Sequence, residues 1–165
     1  MDERPLEART DHCCILGELT RRLARADAAG DRARLAAEAL DRMLADGEFD
    51  RCCVPRYLAL APERHPREVQ IPIAREADVE TRVVVWPVGA RDFEHPHVDG
   101  WTVFIPARGE LATVEKAAGA SRTASLLAPR EPVVLRPEEP IRHLVRNIGE
   151  EPALTVHISG RSDTV

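Results

Sequence analysis

The hydrophobic pattern changes character once along the chain. Up to about residue 50, apolar positions recur at helical spacing. Ile15, Leu16, Leu19 and Leu23 form one stripe, and Leu35, Ala36, Ala39, Leu40, Met43 and Leu44 form another. Stripes of this period place one apolar face on an α-helix. Gly30 and Asp31 precede the second stripe as a break and a cap, and Gly47 follows it as a stop. The expectation is a helical hairpin with arginines on its outer face, packed over the open side of another layer.

From about Val69 the helical period disappears. Short β-rich runs take its place: Val69 to Ile73, Arg82 to Val88, Trp101 to Ile105, Leu111 to Glu115, Ala124 to Leu127, Pro132 to Leu135, His143 to Asn147 and Ala153 to Ile158. Pieces such as Asp99-Gly100, Arg136-Pro137-Glu138-Glu139-Pro140 and Gly149-Glu150-Glu151-Pro152 separate them. Eight short strands at this spacing predict an antiparallel sandwich or barrel, not a parallel α/β sheet. The expected organisation is a single domain over residues 1–165, with 1–60 as a helical layer and about 65–160 as the barrel.

Composition narrows the function classes. The chain is 44% hydrophobic and 31% charged, enough for a core and too apolar for a disordered polymer. A formal net charge of −5 sets it against nucleic-acid binding by phosphate neutralisation. Aromatics are 4% while prolines number 13, which suits an aliphatic core cut by many turns. No run approaches the roughly 18 apolar residues of a membrane helix. The start, Met1-Asp2-Glu3-Arg4-Pro5, is charged and lacks a following apolar stretch, so no signal peptide and a cytoplasmic location are expected. The cysteines form two vicinal pairs, Cys13-Cys14 and Cys52-Cys53, without zinc-type CxxC spacing. They are expected to be reduced and to pack as small hydrophobes.

The histidines carry the candidate chemistry. His95 and His97 are separated by one residue, and residues i and i+2 of an extended strand point to one face. His143 heads a later β run, which a closed sheet can bring alongside. Imidazole suits Fe, Zn, Cu and Ni. Three neutral histidines leave the ion its full charge and open positions for substrate and O2, whereas a structural site is normally closed by a fourth ligand. The alternative for His95 and His97 is a surface loop tightened by Pro96.

These residues carry a family resemblance. Gly89-x5-His95-x-His97 followed by Gly109 resembles the first cupin motif, and Pro137-x5-His143-x3-Asn147 resembles the second. The acidic ligand of the first motif would fall near Trp101 or Thr102 and is missing. A three-histidine site of that kind is similar to the cysteine dioxygenase family of thiol dioxygenases. Trp86-x-x-Gly89, Gly109-Glu110-Leu111 and the segment Thr155 to Ser159 resemble further parts of that family. The resemblance covers roughly residues 65 to 160. It implies a mainly β, cupin-type double-stranded β-helix with an N-terminal helical segment.

The resemblance also implies an activity. Fe(II), or another divalent metal such as Zn or Ni, would be held by His95, His97 and His143. A small thiol such as cysteine or a mercapto acid would be oxidised by O2 to a sulfinate. His157, held by the Thr155 hydroxyl, would sit beside the metal and orient substrate or oxygen. Arg67, with Arg56 and Arg75 as rivals, would grip a substrate carboxylate, and Trp101 and Ser159 would also face the substrate. The family's Ser-His-Tyr trio reads Thr155, His157, Ser159 here, so the hydroxyl is kept and the phenol is lost. That departure keeps other readings open: a metal cupin with a different substrate, or a non-catalytic small-molecule binder. Asn147 is expected to tie down a turn beside His143.

Overall fold

The structure is a computed structural model that describes residues 14–26, 31–96, 100–117, 119, 121–137 and 141–161. Two helices come first, α1 (Cys14–Arg25) and α2 (Arg32–Ala45). The expected cap is present: the Asp31 side chain accepts a hydrogen bond from the Arg34 amide at 3.1 Å. Gly47, at φ +70°, turns the chain beyond α2 in a conformation that suits glycine. Two five-residue helices follow, α3 (Glu48–Cys52) and α4 (Val54–Leu58), with Pro55 in the first turn of α4.

Among the described residues nine strands build the rest: β1 (Val69–Glu76), β2 (Val79–Trp86), β3 (His95–Pro96), β4 (Gly100–Arg108), β5 (Leu111–Ala117), β6 (Thr123–Leu126), β7 (Val133–Leu135), β8 (Ile141–Asn147) and β9 (Ala153–Arg161). All eight expected runs are strands, and the two-residue β3 is additional. One sheet has the order β1-β2-β9-β4-β7 and the other β3-β8-β5-β6, with antiparallel pairing throughout. This is the mainly β, double-stranded β-helix architecture with helices at the N-terminal side. The turn from β4 to β5 needs Gly109: its φ is +84°, and a Cβ there would lie 2.5 Å from the Ala153 Cβ.

Strand alternation sorts the apolar residues into two clusters. Val83, Val85, Trp101, Val103, Ile105, Leu154, Val156 and Ile158 join Leu16, Leu19, Leu23, Ala36, Leu40, Leu44 and Phe49 from the helices. The helices therefore cover the outer face of the five-stranded sheet. Val84, Trp86, Phe104, Leu111, Leu135, Val145 and Ala153 form the second, smaller cluster between the sheets.

The cysteines depart from expectation. Cys53, 4% exposed, is disulfide-bonded, while Cys52 is exposed with a free thiol. The bonding partner lies outside the described side chains, as do His12 and Cys13. A vicinal pair is too strained to close on itself but leaves each member able to bond a distant cysteine, a pairing that spacing alone does not reveal. Among the described residues no helix is long and apolar enough to cross a membrane.

Candidate metal centre and its cavity

The segment after β2 is laced to β8 and carries His95 to His143. Ala90 N–H donates to the Pro87 carbonyl at 2.9 Å, closing a turn around Gly89. Asn147 N–H donates to the Ala90 carbonyl at 2.9 Å, and Asp92 N–H to the Val145 carbonyl at 3.1 Å. The Asp92 carboxylate accepts from Val145 N–H at 2.7 Å. Asn147, 7% exposed, donates through its amide to the carbonyls of Trp86, Pro87 and Glu151. Its own Oδ1 accepts from Gly149 N–H at 2.8 Å. Asn147 thus ties down the turn beside His143. The lacing ends in the β3–β8 register, where His95 stands directly opposite His143.

The two imidazoles converge. Their Nε2 atoms are 3.3 Å apart, and the rings meet edge to face at 4.7 Å between centroids. His95 Nδ1 is 2.7 Å from the Phe93 carbonyl. A carbonyl only accepts, so Nδ1 carries the proton and Nε2 presents a lone pair. Two nitrogens each about 2.0–2.1 Å from one ion, at octahedral to tetrahedral angles, lie about 2.9–3.4 Å apart. The observed spacing fits a shared divalent ion. His97 lies outside the described residues, and among those described no three His, Cys, Asp or Glu side chains converge on one point.

The pair opens into a cavity of about 380 Å³ between the sheets. Val84, Trp86, Phe104, Leu135 and Val145 give it apolar walls, and Arg67, Glu68, Arg82, Asp92 and His157 give it charge and polarity. Phe104 lies between the histidines, stacked on His157 at 5.2 Å and tilted 46° to His143 at 6.2 Å. The Thr155 hydroxyl contacts His157 Nε2 at 2.8 Å and accepts from the Trp86 indole N–H at 2.9 Å. Asp92 stands 3.8 Å from His95 Nδ1. Burial pushes its carboxyl up to about 6, against the Val145 N–H and the nearby imidazole, which both favour the charged form.

The remaining expected site residues divide. Arg67 does line the cavity, with its guanidinium 3.6 Å over the Phe93 ring and 3.4 Å from Glu68. Its rivals do not: Arg56 is exposed on α4, and Arg75, on β1, lines a neighbouring cavity of about 460 Å³. Trp101 and Ser159 line that neighbouring cavity as well, not the one at the histidines. Alternation explains Trp101: Thr102 and Phe104 point between the sheets, so Trp101 turns to the helix side. Ser159 faces inward but one step too far along β9, where its hydroxyl meets Thr102 at 3.1 Å. Thr102 lines both cavities.

Arg82 is the residue the sequence reading missed. It projects from β2 into the cavity as the cross-strand partner of His157. Its Nε is buried, with no hydrogen-bond partner among the described residues. The signal was present in the run Arg82-Val83-Val84-Val85-Trp86, where Arg82 is in phase with the inward Val84 and Trp86.

Comparison with known proteins agrees with the architecture. No family model and no curated protein matches the chain. Among solved structures, TT1209 from Thermus thermophilus is similar at TM-score 0.50 and 21% identity, over 62% of this chain and 91% of that one. An oxalate oxidase in complex with the substrate analogue glycolate is similar at TM-score 0.51 and 15% identity, over 64% and 57%. A cupin domain from Bordetella pertussis Tohama I is similar at TM-score 0.47 and 19% identity, over 61% and 99%. The chain therefore shares its fold with TT1209 and with the oxalate oxidase. At these identities the likeness speaks for the fold alone.

Proposed function

We propose that the chain is an iron-dependent oxygenase of the thiol dioxygenase type, which converts a small thiol and O2 to a sulfinic acid. The observation that carries this reading is the convergence of the His95 and His143 Nε2 atoms at 3.3 Å, with His95 oriented through Nδ1, at the wall of an apolar-sided cavity. His95 and His143, with His97, would hold the ion. When bound, Fe(II) supplies dioxygen activation and lowers the pKa of a coordinated thiol. The chain's own residues do the rest. Trp86, Val84, Phe104, Leu135 and Val145 keep water from the reacting sulfur. Arg82 receives the carboxylate of a mercapto acid, and Arg67, tied to Glu68 and Phe93, forms the rim. Thr155 orients His157 toward the bound substrate.

A second reading, a metal cupin acting on another substrate, is favoured by Ser159. Its hydroxyl is engaged with Thr102 outside the histidine cavity, so nothing among the described residues stands in for the family's phenol.

Elemental analysis of protein produced with iron supplementation should give close to one iron per chain. Oxygen uptake should follow with 3-mercaptopropionate or cysteine, and less with cysteamine, which lacks the carboxylate. His95→Ala should lose the iron and the uptake together while stability stays within about 1 kcal/mol, because this side chain is 42% exposed. Folded wild-type protein without bound transition metal overturns both readings. Iron-loaded protein that takes up no oxygen with any of the three thiols overturns the first and leaves the second.

A further inference from the structure

The cavity at the histidines is lined by two residues that each bury a polar atom with no hydrogen-bond partner among the described residues. Arg82 Nε is a donor, and Glu68 Oε2 is an acceptor. Glu68 stands just before β1, in phase with Gln70, which pairs with the inward Val84. Its side chain is only 9% exposed. Gln70 Nε2 and Arg67 Nη2 both donate to its other oxygen, Oε1, at 3.3 and 3.4 Å. Charge-assisted bonds to a carboxylate usually run at about 2.7–2.9 Å, so these contacts are long. Arg67 Nε comes within 3.4 Å of Oε2 without forming a hydrogen bond, and its guanidinium lies 3.6 Å over the Phe93 ring. Glu68 therefore keeps acceptor capacity that its neighbours do not use.

Buried polar atoms are normally satisfied, so an open pair at one cavity points to what enters it. Asp92, the other carboxylate there, is already engaged: it accepts from Val145 N–H at 2.7 Å and stands 3.8 Å from His95 Nδ1. Arg82 Nε and Glu68 Oε2 do not satisfy each other. The histidines aside, Arg67 and Arg82 balance Glu68 and Asp92 in formal charge. A ligand of one sign would leave one of the two open atoms unpaired. A ligand with a cationic donor and an anionic acceptor answers both.

We propose that Glu68 is a specificity-determining residue of this cavity, whose Oε2 receives the ammonium group of a small zwitterion while the ligand's acidic end meets Arg82. The cavity then selects zwitterions over plain acids of the same size, because an acid without the amine leaves the buried acceptor unpaired. The inference rests on this cavity being the substrate chamber, yet it needs neither iron nor a thiol. Failure of the oxygen-uptake assay leaves it standing, and its own failure leaves the iron chemistry untouched.

The test uses the full chain, treated with chelator, and three hydroxyl compounds. L-serine has both charged ends, 3-hydroxypropionate has the acid alone, and ethanolamine has the amine alone. Titration into the millimolar range, followed by amide shifts of 15N-labelled protein, reads weak binding. Binding counts where the amides of Gln70 and Val84, both at the cavity, shift. L-serine should bind at least about tenfold more tightly than either other compound, the factor that one hydrogen bond to a charged group is worth. Glu68→Gln keeps the length of the side chain and removes the charged acceptor. Serine should then weaken by about tenfold, while 3-hydroxypropionate keeps or gains affinity. Arg82→Gln should weaken serine and 3-hydroxypropionate and spare ethanolamine. Equal binding of serine and 3-hydroxypropionate to wild type overturns the proposal, and so does the absence of binding by all three. A Glu68→Gln protein that melts earlier but binds serine as wild type does overturns it too, since an ion-pair role with Arg67 alone would give that result. Should Glu68→Gln fail to fold, the wild-type ranking and the Arg82→Gln variant decide.

Discussion

The two faces of the five-stranded sheet are built from the same strands, one residue out of phase, and they differ in kind. On β9, Leu154, Val156 and Ile158 face the helices, and Thr155, His157 and Ser159 face the other sheet. On β4, Trp101, Val103 and Ile105 alternate with Thr102 and Phe104 in the same way. The helix side is one continuous apolar cluster, and the inner side is a smaller cluster opened by a cavity that also carries charged and polar side chains. Burial of apolar area stabilises the first face. The second leaves room and polar atoms where a fully packed interior would have neither. The fold thus separates stability from chemistry along single strands rather than between regions of the chain.

The sharpest way to break that separation is a truncation on the helix side of β9. Ile158 is fully buried there, next to His157 on the other face. Ile158→Ala should cost about 2–5 kcal/mol in urea unfolding, the usual range for a large-to-small change in a packed site. Iron per folded chain should stay at the wild-type value. A variant of unchanged stability that has lost its iron would mean the two faces are coupled through the strand.

The comparison also explains what could be read from the residues alone. Short β-rich runs bounded by Pro, Gly and acidic turns marked every strand of more than two residues, because β-propensity and turn chemistry are local. The cap at Asp31 and the turn at Gly47 are equally local. β3 escaped since two residues hold no period. Arg82 escaped because β2 is apolar on both faces, Val83 and Val85 toward the helices and Val84 and Trp86 inward, so its phase is hard to see. An arginine is also normally read as surface. His95 and His143 were found by type and spacing, but the lacing that aligns them, through Asp92, Ala90 and Asn147, depends on backbone partners far apart in sequence. Trp101 and Ser159 show the limit of resemblance: adjacency in a motif does not say which face, or which end of a strand, a side chain occupies.

An ion pair offers a smaller and pH-dependent probe of the helix side. Arg32, at the start of α2 and 8% exposed, donates to both oxygens of Asp78 in the β1–β2 turn at 3.0 and 2.8 Å. These hydrogen bonds hold the Asp78 carboxyl below the usual carboxylate range. A carboxyl depressed on folding adds stability above its unfolded pKa, about 3.9, and loses it as pH falls through the folded value. Asp78→Asn should therefore cost about 1–3 kcal/mol near neutral pH. The gap between wild type and variant should narrow below about pH 4. Stability curves that stay parallel from about pH 7 to about pH 3 would show that the pair contributes no linked energy.

The smallest expected effect lies on the cavity side and decides what Ser159 is for. Its hydroxyl is 3.1 Å from Thr102, between the two cavities, and the histidine cavity does not include it. Ser159→Ala removes one hydrogen bond between part-buried hydroxyls, so stability should fall by about 0.5–1.5 kcal/mol. Oxygen uptake with a small thiol should keep its wild-type rate and its wild-type dependence on thiol concentration. Arg82→Gln, one strand away in the cavity proper, should instead raise the thiol concentration needed for half-maximal uptake about tenfold or more for a mercapto acid and leave cysteamine unaffected. If Ser159→Ala slows uptake and Arg82→Gln does not, substrate enters from the Trp101 side of Thr102. The inner face then works from its far end, and the assignment of the cavity at the histidines as the substrate chamber fails.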